Sequence, residues 1–371
     1  MNDQTTNAKV AVIGAGPAGS ATALHLTQRG IDDVVIVDLH DFPRHKTCGS
    51  GLSPRAIATL RELEVWDAVE PLAYPIHGIR IVTREGYDTY VSGESDAAAI
   101  CLRHDLDYEI HKRTRARGVE FLPQFAAHEP IMRGDRWIGV RARDGREVRA
   151  DWIVVANGAH SSFSTCEGDK RTIHTIMGWW EGVDYRPHHL EMFWDDLTLP
   201  YYGWLFPETA SRVNIGITYE DDHKRKNARR LFEAFLAKHF RERLDGATPI
   251  GKWKGHPIVY TYRTGALHSP GRIVVGEAGR MTHPATGEGI YQGMRSGMFA
   301  AEAIADILSG RASEGAALSR YDRRCAATFM PSFWAGGLAR RVLRTPVLDY
   351  VIKTSNTPRI KAATARILAH L

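Results

Sequence analysis

The stretch Lys9 to Asp38, KVAVIGAGPAGSATALHLTQRGIDDVVIVD, restricts the fold more than any other part of the chain. Val10, Val12 and Ile13 favour a short buried strand and run straight into Gly14-Ala15-Gly16-Pro17-Ala18-Gly19. Ala18 to Arg29 then predicts a helix closed by Gly30, and Val34 to Val37 a second strand ending on Asp38. Strand, glycine turn, helix, strand and acid, in that order, predict a Rossmann-like unit that binds a dinucleotide. Gly14 permits the tight turn, Gly16 lets backbone approach a pyrophosphate, and Gly19 lets helix pack close on strand. The helix start offers free N–H groups and partial positive charge to the phosphates. Asp38 falls about 20 residues past the glycines, where a carboxylate accepts ribose hydroxyls. Pro17 lacks an N–H but sits where a first-turn proline is tolerated.

A chain of 371 residues, 43% hydrophobic and 25% charged, has room for more than this unit and predicts two domains. It contains no apolar run of the about 18 residues that a membrane span needs. The N-terminal MNDQTTNAK lacks a signal peptide's apolar core, which predicts a cytoplasmic protein. Cys48, Cys101, Cys166 and Cys325 are far apart, so neither a disulfide framework nor a zinc site is expected, and no metal is predicted. From Pro331 to Leu371 seven Lys/Arg face a single acid, Asp349; this +6 exceeds the +5 of the whole chain and leaves the rest at −1. The basic character therefore belongs to the tail, and no nucleic-acid partner is expected. Phe329, Phe333 and Trp334 precede Arg340, Arg341 and Arg344 there, a pattern that predicts peripheral contact with a membrane or an anionic partner.

Further along, Ser53-Pro54 reads as a helix cap followed by a first-turn proline, with a helix to about Leu63. Ile76 to Val91 alternates around Glu85-Gly86 and predicts a hairpin. Asp105 is expected to cap a helix ending at Gly118, with Arg103 just before it; Trp137 to Arg149 reads as a hairpin on Asp144-Gly145. Trp152 to Ala156 is wholly apolar, as a central parallel strand should be, and ends in Asn157-Gly158. Between Ile173 and Tyr262 the pattern changes to aromatic-rich strands (Ile176 to Val183, Leu190 to Trp194, Tyr202 to Phe206, Val213 to Tyr219, Ile258 to Tyr262), interrupted by one helix at about Arg225 to Arg243. Arg272 to Val275 returns to the parallel pattern, and a second glycine-rich segment, Gly276-Glu277 through Gly287-Glu288-Gly289, opens a helix to about Leu308. A helix through Arg344, then Pro346, and a short basic helix at the end complete the chain.

The expected fold is α/β: a discontinuous Rossmann-like domain (1–75, 98–172, 263–330), a mostly antiparallel sheet domain (76–97, 173–262) and a basic helical C-terminal segment (331–371).

With FPRHKTCGSGLSP at Phe42 to Pro54, PYYGWLFP at Pro200 to Pro207 and PATGEGIYQGMRSGMFAAE at Pro284 to Glu302, the chain resembles the geranylgeranyl reductase family, within the flavoproteins built like aromatic hydroxylases. The resemblance runs from Val10 to about Arg344 and implies FAD as cofactor. It implies that Gly14, Gly16, Ala18, Gly19 and Asp38 hold the ADP half, with Arg44 and Arg103 near the phosphates or ribityl chain. Gly276 and Glu277 are implied at the ribityl hydroxyls, and Pro284, Gly287, Glu288, Gly289 and Ile290 at the flavin pyrimidine edge. Amides at that helix start suit the negative charge that builds on a flavin as electrons arrive. Cys48 and Gly49 are implied beside the ring, with Tyr202 and Trp204 of the aromatic sheet facing it.

Two departures stand out. Asn157-Gly158 replaces the Asp-Gly of related flavoproteins, and Gly276-Glu277 replaces their Gly-Asp. The first removes a charge from a segment that helps hydroxylases manage NAD(P)H, so the donor stays open between NAD(P)H and a ferredoxin-like protein. The activity the resemblance implies is reduction of carbon–carbon double bonds in an apolar, isoprenoid or polyene-like substrate, by hydride transfer from reduced flavin. Cys48 is the candidate proton donor there, since an unperturbed thiol is mostly protonated at neutral pH. The alternatives are a flavin monooxygenase, a halogenase or a prenyl-binding relative without redox chemistry. Halogenases carry W-x-W-x-I-P where this chain has Tyr202-Gly203-Trp204-Leu205-Phe206-Pro207. One fold serves all of them, so fold alone cannot choose.

Overall fold

The structure is a computed structural model and describes residues 5–92, 98–164, 171–221, 225–262 and 267–354. Its first unit is β1 (Thr5–Ile13), α1 (Pro17–Gln28) and β2 (Val34–Val37). β1 starts earlier than its apolar residues suggest, because Thr5 already pairs with Glu147 of the neighbouring strand Glu147–Val155. On its other edge β1 pairs in parallel with β2, Val10 opposite Val34, and β2 pairs with Glu120–Leu122. Val10, Val12, Val35, Ile36, Trp152, Ile153 and Val154 are all buried, as strands covered on both faces must be.

Glu147–Val155 is one strand with two roles, where the sequence suggested a hairpin arm and a separate central strand. Its first residues pair antiparallel with Arg136–Ala142 and its last ones in parallel with Arg272–Val274. Periodicity could not show this, because a change of partner along one edge leaves no mark on the strand itself. The helix expected to be capped by Asp105 instead spans Arg103–Ala116. Arg103 is its first residue, and Asp105 sits in the first turn, where an acid suits the helix dipole.

The second sheet has seven strands in the order Thr248–Val259, Thr172–Glu181, Arg212–Glu220, Gly203–Pro207, His189–Phe193, Gly78–Val82 and Asp88–Ser92. All neighbours are antiparallel except His189–Phe193 with Gly78–Val82. The outer strand Thr248–Val259 lies well before the expected Ile258 to Tyr262. It is an edge, largely open to solvent and carrying Lys252 and Lys254, so no apolar alternation announces it. The helix Ala228–His239, capped by the Asn227 side chain, covers one sheet face with Phe232, Phe235 and Leu236.

Strand alternation sorts the aromatic residues. Trp180 packs on the helix side, while Trp179 and Trp204 join Met177 on the opposite face, with Tyr202 and Phe206 against them. The chain closes with Ile290–Leu308, the long helix Glu314–Leu343 with Pro331 inside it, and Val347–Thr354. The basic helix expected near the C-terminus and Cys166 lie outside the described residues; Cys48, Cys101 and Cys325 are free thiols. The architecture is that of an α/β flavoprotein of the aromatic-hydroxylase type.

Candidate active site

Both glycine-rich segments meet in one place. Gly14 has φ +105°, and a Cβ on it would lie 2.7 Å from the Ala156 carbonyl oxygen at the end of the central strand. A Cβ on Gly19 would lie 1.9 Å from the Gly14 carbonyl oxygen, so the turn and α1 close on each other without room for any side chain. Gly16 differs: its nearest neighbour is the Arg44 guanidinium at 3.6 Å, which leaves its face clear for a ligand and places a cation beside it. Asp38 is already engaged at the end of β2. Its Oδ2 accepts from the Ala15 N–H at 2.7 Å and its Oδ1 from the His40 N–H at 2.8 Å, so the acid also fixes the loop it faces.

The second segment locks onto the first. A Cβ on Gly276 would come within 3.0 Å of Ala18 Cβ, and one on Gly293 within 3.3 Å, while one on Gly297 would strike the Ala18 carbonyl and Thr22 Oγ1 at 2.5 Å. Ala18 is thus the contact through which α1 and Ile290–Leu308 pack. Ser296 Oγ accepts from the Gly276 N–H at 2.9 Å and holds the turn to the same helix. The bend from Pro284 to Ile290 is organised by His283, whose Nδ1 accepts from the backbone N–H of Ala285 and Thr286 while Nε2 donates to the Ser332 carbonyl. Burial holds the His283 imidazole neutral, its pKa down to about 4.

Between these segments and the aromatic sheet runs Phe42 to Pro54. Asp107, wholly buried, accepts from Arg103 at 2.6 and 2.7 Å and pairs with Arg44 at 3.3 Å. Two guanidiniums therefore share one carboxylate. Lys46 Nζ lies 2.9 Å from His256 Nε2, and Glu277 Oε2 lies 4.0 Å from that same nitrogen. Burial, with the nearby Lys46, His160 and Arg103, pushes His256 down to about 3, so the imidazole is neutral and Nε2 accepts from the ammonium. Burial and the Arg103 charge lower Lys46 as well. Glu277 Oε1 accepts from the Val259 N–H at 3.2 Å, which ties the second glycine segment to the outer strand of the other sheet.

Cys48 is half-buried, and its Sγ accepts from the Ser50 N–H at 3.3 Å. Ser50 takes φ +63° to make that bond. A Cβ on Gly49 would touch the Phe206 ring at 3.2 Å, so the segment presses backbone flat on the aromatic sheet. The Tyr202 hydroxyl donates to the Thr286 carbonyl at 2.6 Å, and burial, then Cys48 and Glu288, push its pKa up. Burial also raises Glu288, which accepts from Gln292 Nε2. Trp204 is fixed twice: its Nε1 donates to Asn214 Oδ1 at 2.7 Å, and its ring lies where a Cβ on Gly216 would be.

Packing and hydrogen bonds thus join the two glycine segments, Phe42 to Pro54 and the aromatic sheet into one region whose groups suit FAD. The Gly16 face is clear of side chains apart from the Arg44 guanidinium beside it, where a phosphate would fit, and Asn157 lies against Gly14 at the end of the central strand. Asp107, Lys46 acting through His256, and His283 were not singled out from sequence. Asp107 stands four residues after Arg103, a spacing that marks a helix pair. The Lys46–His256 contact spans 210 residues and left no local signal. Among the described residues there is no cluster of His, Cys, Asp or Glu that could hold a metal.

The menaquinone reductase of Mycobacterium tuberculosis (strain ATCC 25618 / H37Rv) is 30% identical to this chain over 325 residues, 80% of the chain and 76% of that protein. The digeranylgeranylglycerophospholipid reductase of Picrophilus torridus is 26% identical over 343 residues, 85% and 82% of the two chains. A geranylgeranyl bacteriochlorophyll reductase-like protein from Thermoplasma acidophilum shares the fold with a TM-score of 0.85 at 19% identity, over 97% and 96% of the two chains. The flavin-dependent brominase Bmp2 does so at 0.81 and 21% identity, over 98% and 94%. The FAD binding domain family matches residues 7–331. The chain belongs to that family and, within it, to the geranylgeranyl reductase-like FAD-dependent oxidoreductases.

Proposed function

We propose that the protein reduces carbon–carbon double bonds in an isoprenoid chain. FAD, when bound, supplies the two electrons. Two of the relatives carry digeranylgeranyl and menaquinone in their names, both prenylated molecules, which supports the substrate class. The observation that carries the reading is the apolar packing around Tyr202, whose hydroxyl is bonded to Thr286 of the second glycine segment. Tyr202 packs against Trp194 with Ile79, Met192, Leu343 and Leu348 on one side and against Trp204, which neighbours Gly49, on the other.

The hydrogen bonds also sort the three candidate catalytic side chains. Tyr202 and Trp204 each have their single polar proton committed to a protein acceptor, Thr286 and Asn214. Both therefore position and exclude water. Cys48 Sγ accepts from the Ser50 N–H and donates to no protein acceptor among the described residues that would commit it, so we assign it the proton donor's role. Asp107 holds Arg103 and Arg44 together, and Gly289 caps Ile290–Leu308, a helix whose dipole favours negative charge near its start; the Gly287 and Glu288 N–H groups are taken up by the His283 carbonyl and Thr286 Oγ1.

The test is anaerobic. Enzyme loaded with FAD and reduced by dithionite is mixed with geranylgeranyl lipids or menaquinone, and in parallel with oxygen. A product two mass units heavier than the substrate, formed without oxygen and still two units heavier after any quinol is reoxidised, is expected. A product carrying one atom of labelled oxygen, with no saturated product in the anaerobic arm, overturns the assignment in favour of a monooxygenase. Supplying NAD(P)H or a reduced ferredoxin in place of dithionite identifies the donor.

A further inference from the structure

We propose that the outer face of the two C-terminal helices docks on an anionic lipid bilayer. Among the described residues nine large hydrophobic side chains are exposed, and five of them fall within 17 positions: Trp334, Leu338, Val342, Val347 and Tyr350. Trp334, Leu338 and Tyr350 are 75%, 61% and 68% exposed. On Glu314–Leu343 the first three recur every fourth residue, one stripe of a helix surface. The inner face of that helix is already satisfied. Phe329 and Phe333 are buried, and Gly336 lies against His283. Arg340 lies over the Tyr201 and Tyr260 rings and bonds Glu220. Of the anchors that the bare sequence pattern picked out, Phe329 and Phe333 are turned inward, and Trp334 faces out with Leu338, Val342, Val347 and Tyr350.

The charge around the stripe favours phospholipid over a second protein. Arg341 sits seven residues after Trp334, on the same side of the helix, and is exposed, as is Lys353 three residues after Tyr350. The one acid between residues 331 and 354 is Asp349, which is buried and accepts from Arg84 and the Glu85 N–H. Glu220 is bonded by both Arg340 and Arg344. Asp196, exposed nearby, lies 3.8 Å from Arg84. Apolar anchors with a cationic border are what an interfacial helix needs; Glu220 and Asp349 are taken up by arginines, and Glu85 and Asp196 stay exposed at the edge beside Arg84. The placement also suits the function proposed above, and only in this respect rests on it: Leu343, Leu348 and Ile352 of the same helices pack beside Tyr202, so an isoprenoid leaving the bilayer meets the site directly.

The full-length protein, without substrate, is sedimented with vesicles of phosphatidylcholine alone and of phosphatidylcholine with phosphatidylglycerol. Binding to the anionic vesicles is expected, weakened by salt. Leu338→Ser should lower the partition about 10- to 100-fold, the loss of one buried apolar side chain. Arg341→Glu with Lys353→Glu should weaken binding to anionic vesicles and leave the zwitterionic ones unchanged. Trp334→Leu should keep binding and reduce the quenching of tryptophan fluorescence by brominated acyl chains. The proposal is overturned by absence of binding at low salt, by binding that Leu338→Ser leaves intact, or by a lipid-free dimer that Leu338→Ser converts to monomer. None of these readouts depends on the substrate, so a failed reductase assignment leaves them unaffected.

Discussion

Replacing Asp107 with Asn removes one negative charge and leaves the shape of the site intact. In the native protein this carboxylate is wholly buried and bonds Arg103 at 2.6 and 2.7 Å, with Arg44 at 3.3 Å; the two arginine side chains are themselves only 9% and 13% exposed. Asparagine can accept from one guanidinium but neutralises neither. Breaking a buried pair by removing one partner costs about 3–5 kcal/mol, chiefly the charge left behind. Unfolding entropy is about 2.1 cal/mol/K per residue, so over the full chain this loss lowers Tm by about 4–6 °C. Differential scanning fluorimetry of apoprotein measures it directly. Saturating FAD should then narrow the gap, because its phosphates bring negative charge to the Arg44 side of Gly16. An apoprotein Tm within about 1 °C of wild type refutes the energetic argument. An unchanged gap with FAD refutes the placement of the phosphates.

Cys48→Ser keeps size and replaces the thiol with a far weaker acid, so single-turnover alkene reduction should slow by roughly 100-fold or more while FAD binding and flavin reduction hold. Tyr202→Phe should change the same rate by less than about tenfold and lower stability by about 0.5–1.5 kcal/mol, the loss of the hydrogen bond to Thr286 measured by urea unfolding. Burial depresses His256 to about 3 and His283 to about 4, below the ordinary histidine value of 6.5. The unfolded chain therefore takes up protons first, and stability should be full above about pH 6.5 and fall steadily towards pH 4. A flat urea midpoint between pH 7.5 and 5 contradicts this, and His283→Gln should flatten the slope if the account is right.

The parts of this fold that could be read from sequence are those whose chemistry is local. Gly14, Gly16, Gly19 and Asp38 lie within one strand–helix–strand unit, and each glycine answers a constraint a few residues away. Ser53 caps its helix through a bond to the Ala56 N–H, as its neighbouring proline suggested. What escaped was long-range or solvent-facing. The strand Thr248–Val259 shows water most of its side chains and so lacks the alternation that marks a half-buried strand. His256 belongs to that strand, which is why its place beside Lys46 could not be foreseen. Trp179 and Trp180, adjacent in sequence, serve opposite faces of the sheet, and only the observed register says which one joins Trp204.

The seam between α1 and Ile290–Leu308 also governs when, during synthesis, the cofactor can be held. Ala18 and Thr22 are made early, but their partners Gly276, Gly293 and Gly297 emerge only after some 250 further residues. Until then the first helix leans only on β1, β2 and the helix Arg103–Ala116, and its Ala18 face stays uncovered. The nucleotide cradle is therefore a late event in biogenesis: a nascent chain halted before the last glycine segment should carry no flavin, whereas one released past Leu308 can close around it. The early β1–α1–β2 unit is a docking half waiting for a distant counterpart, so arrested chains probed for flavin fluorescence should switch over a narrow range of lengths.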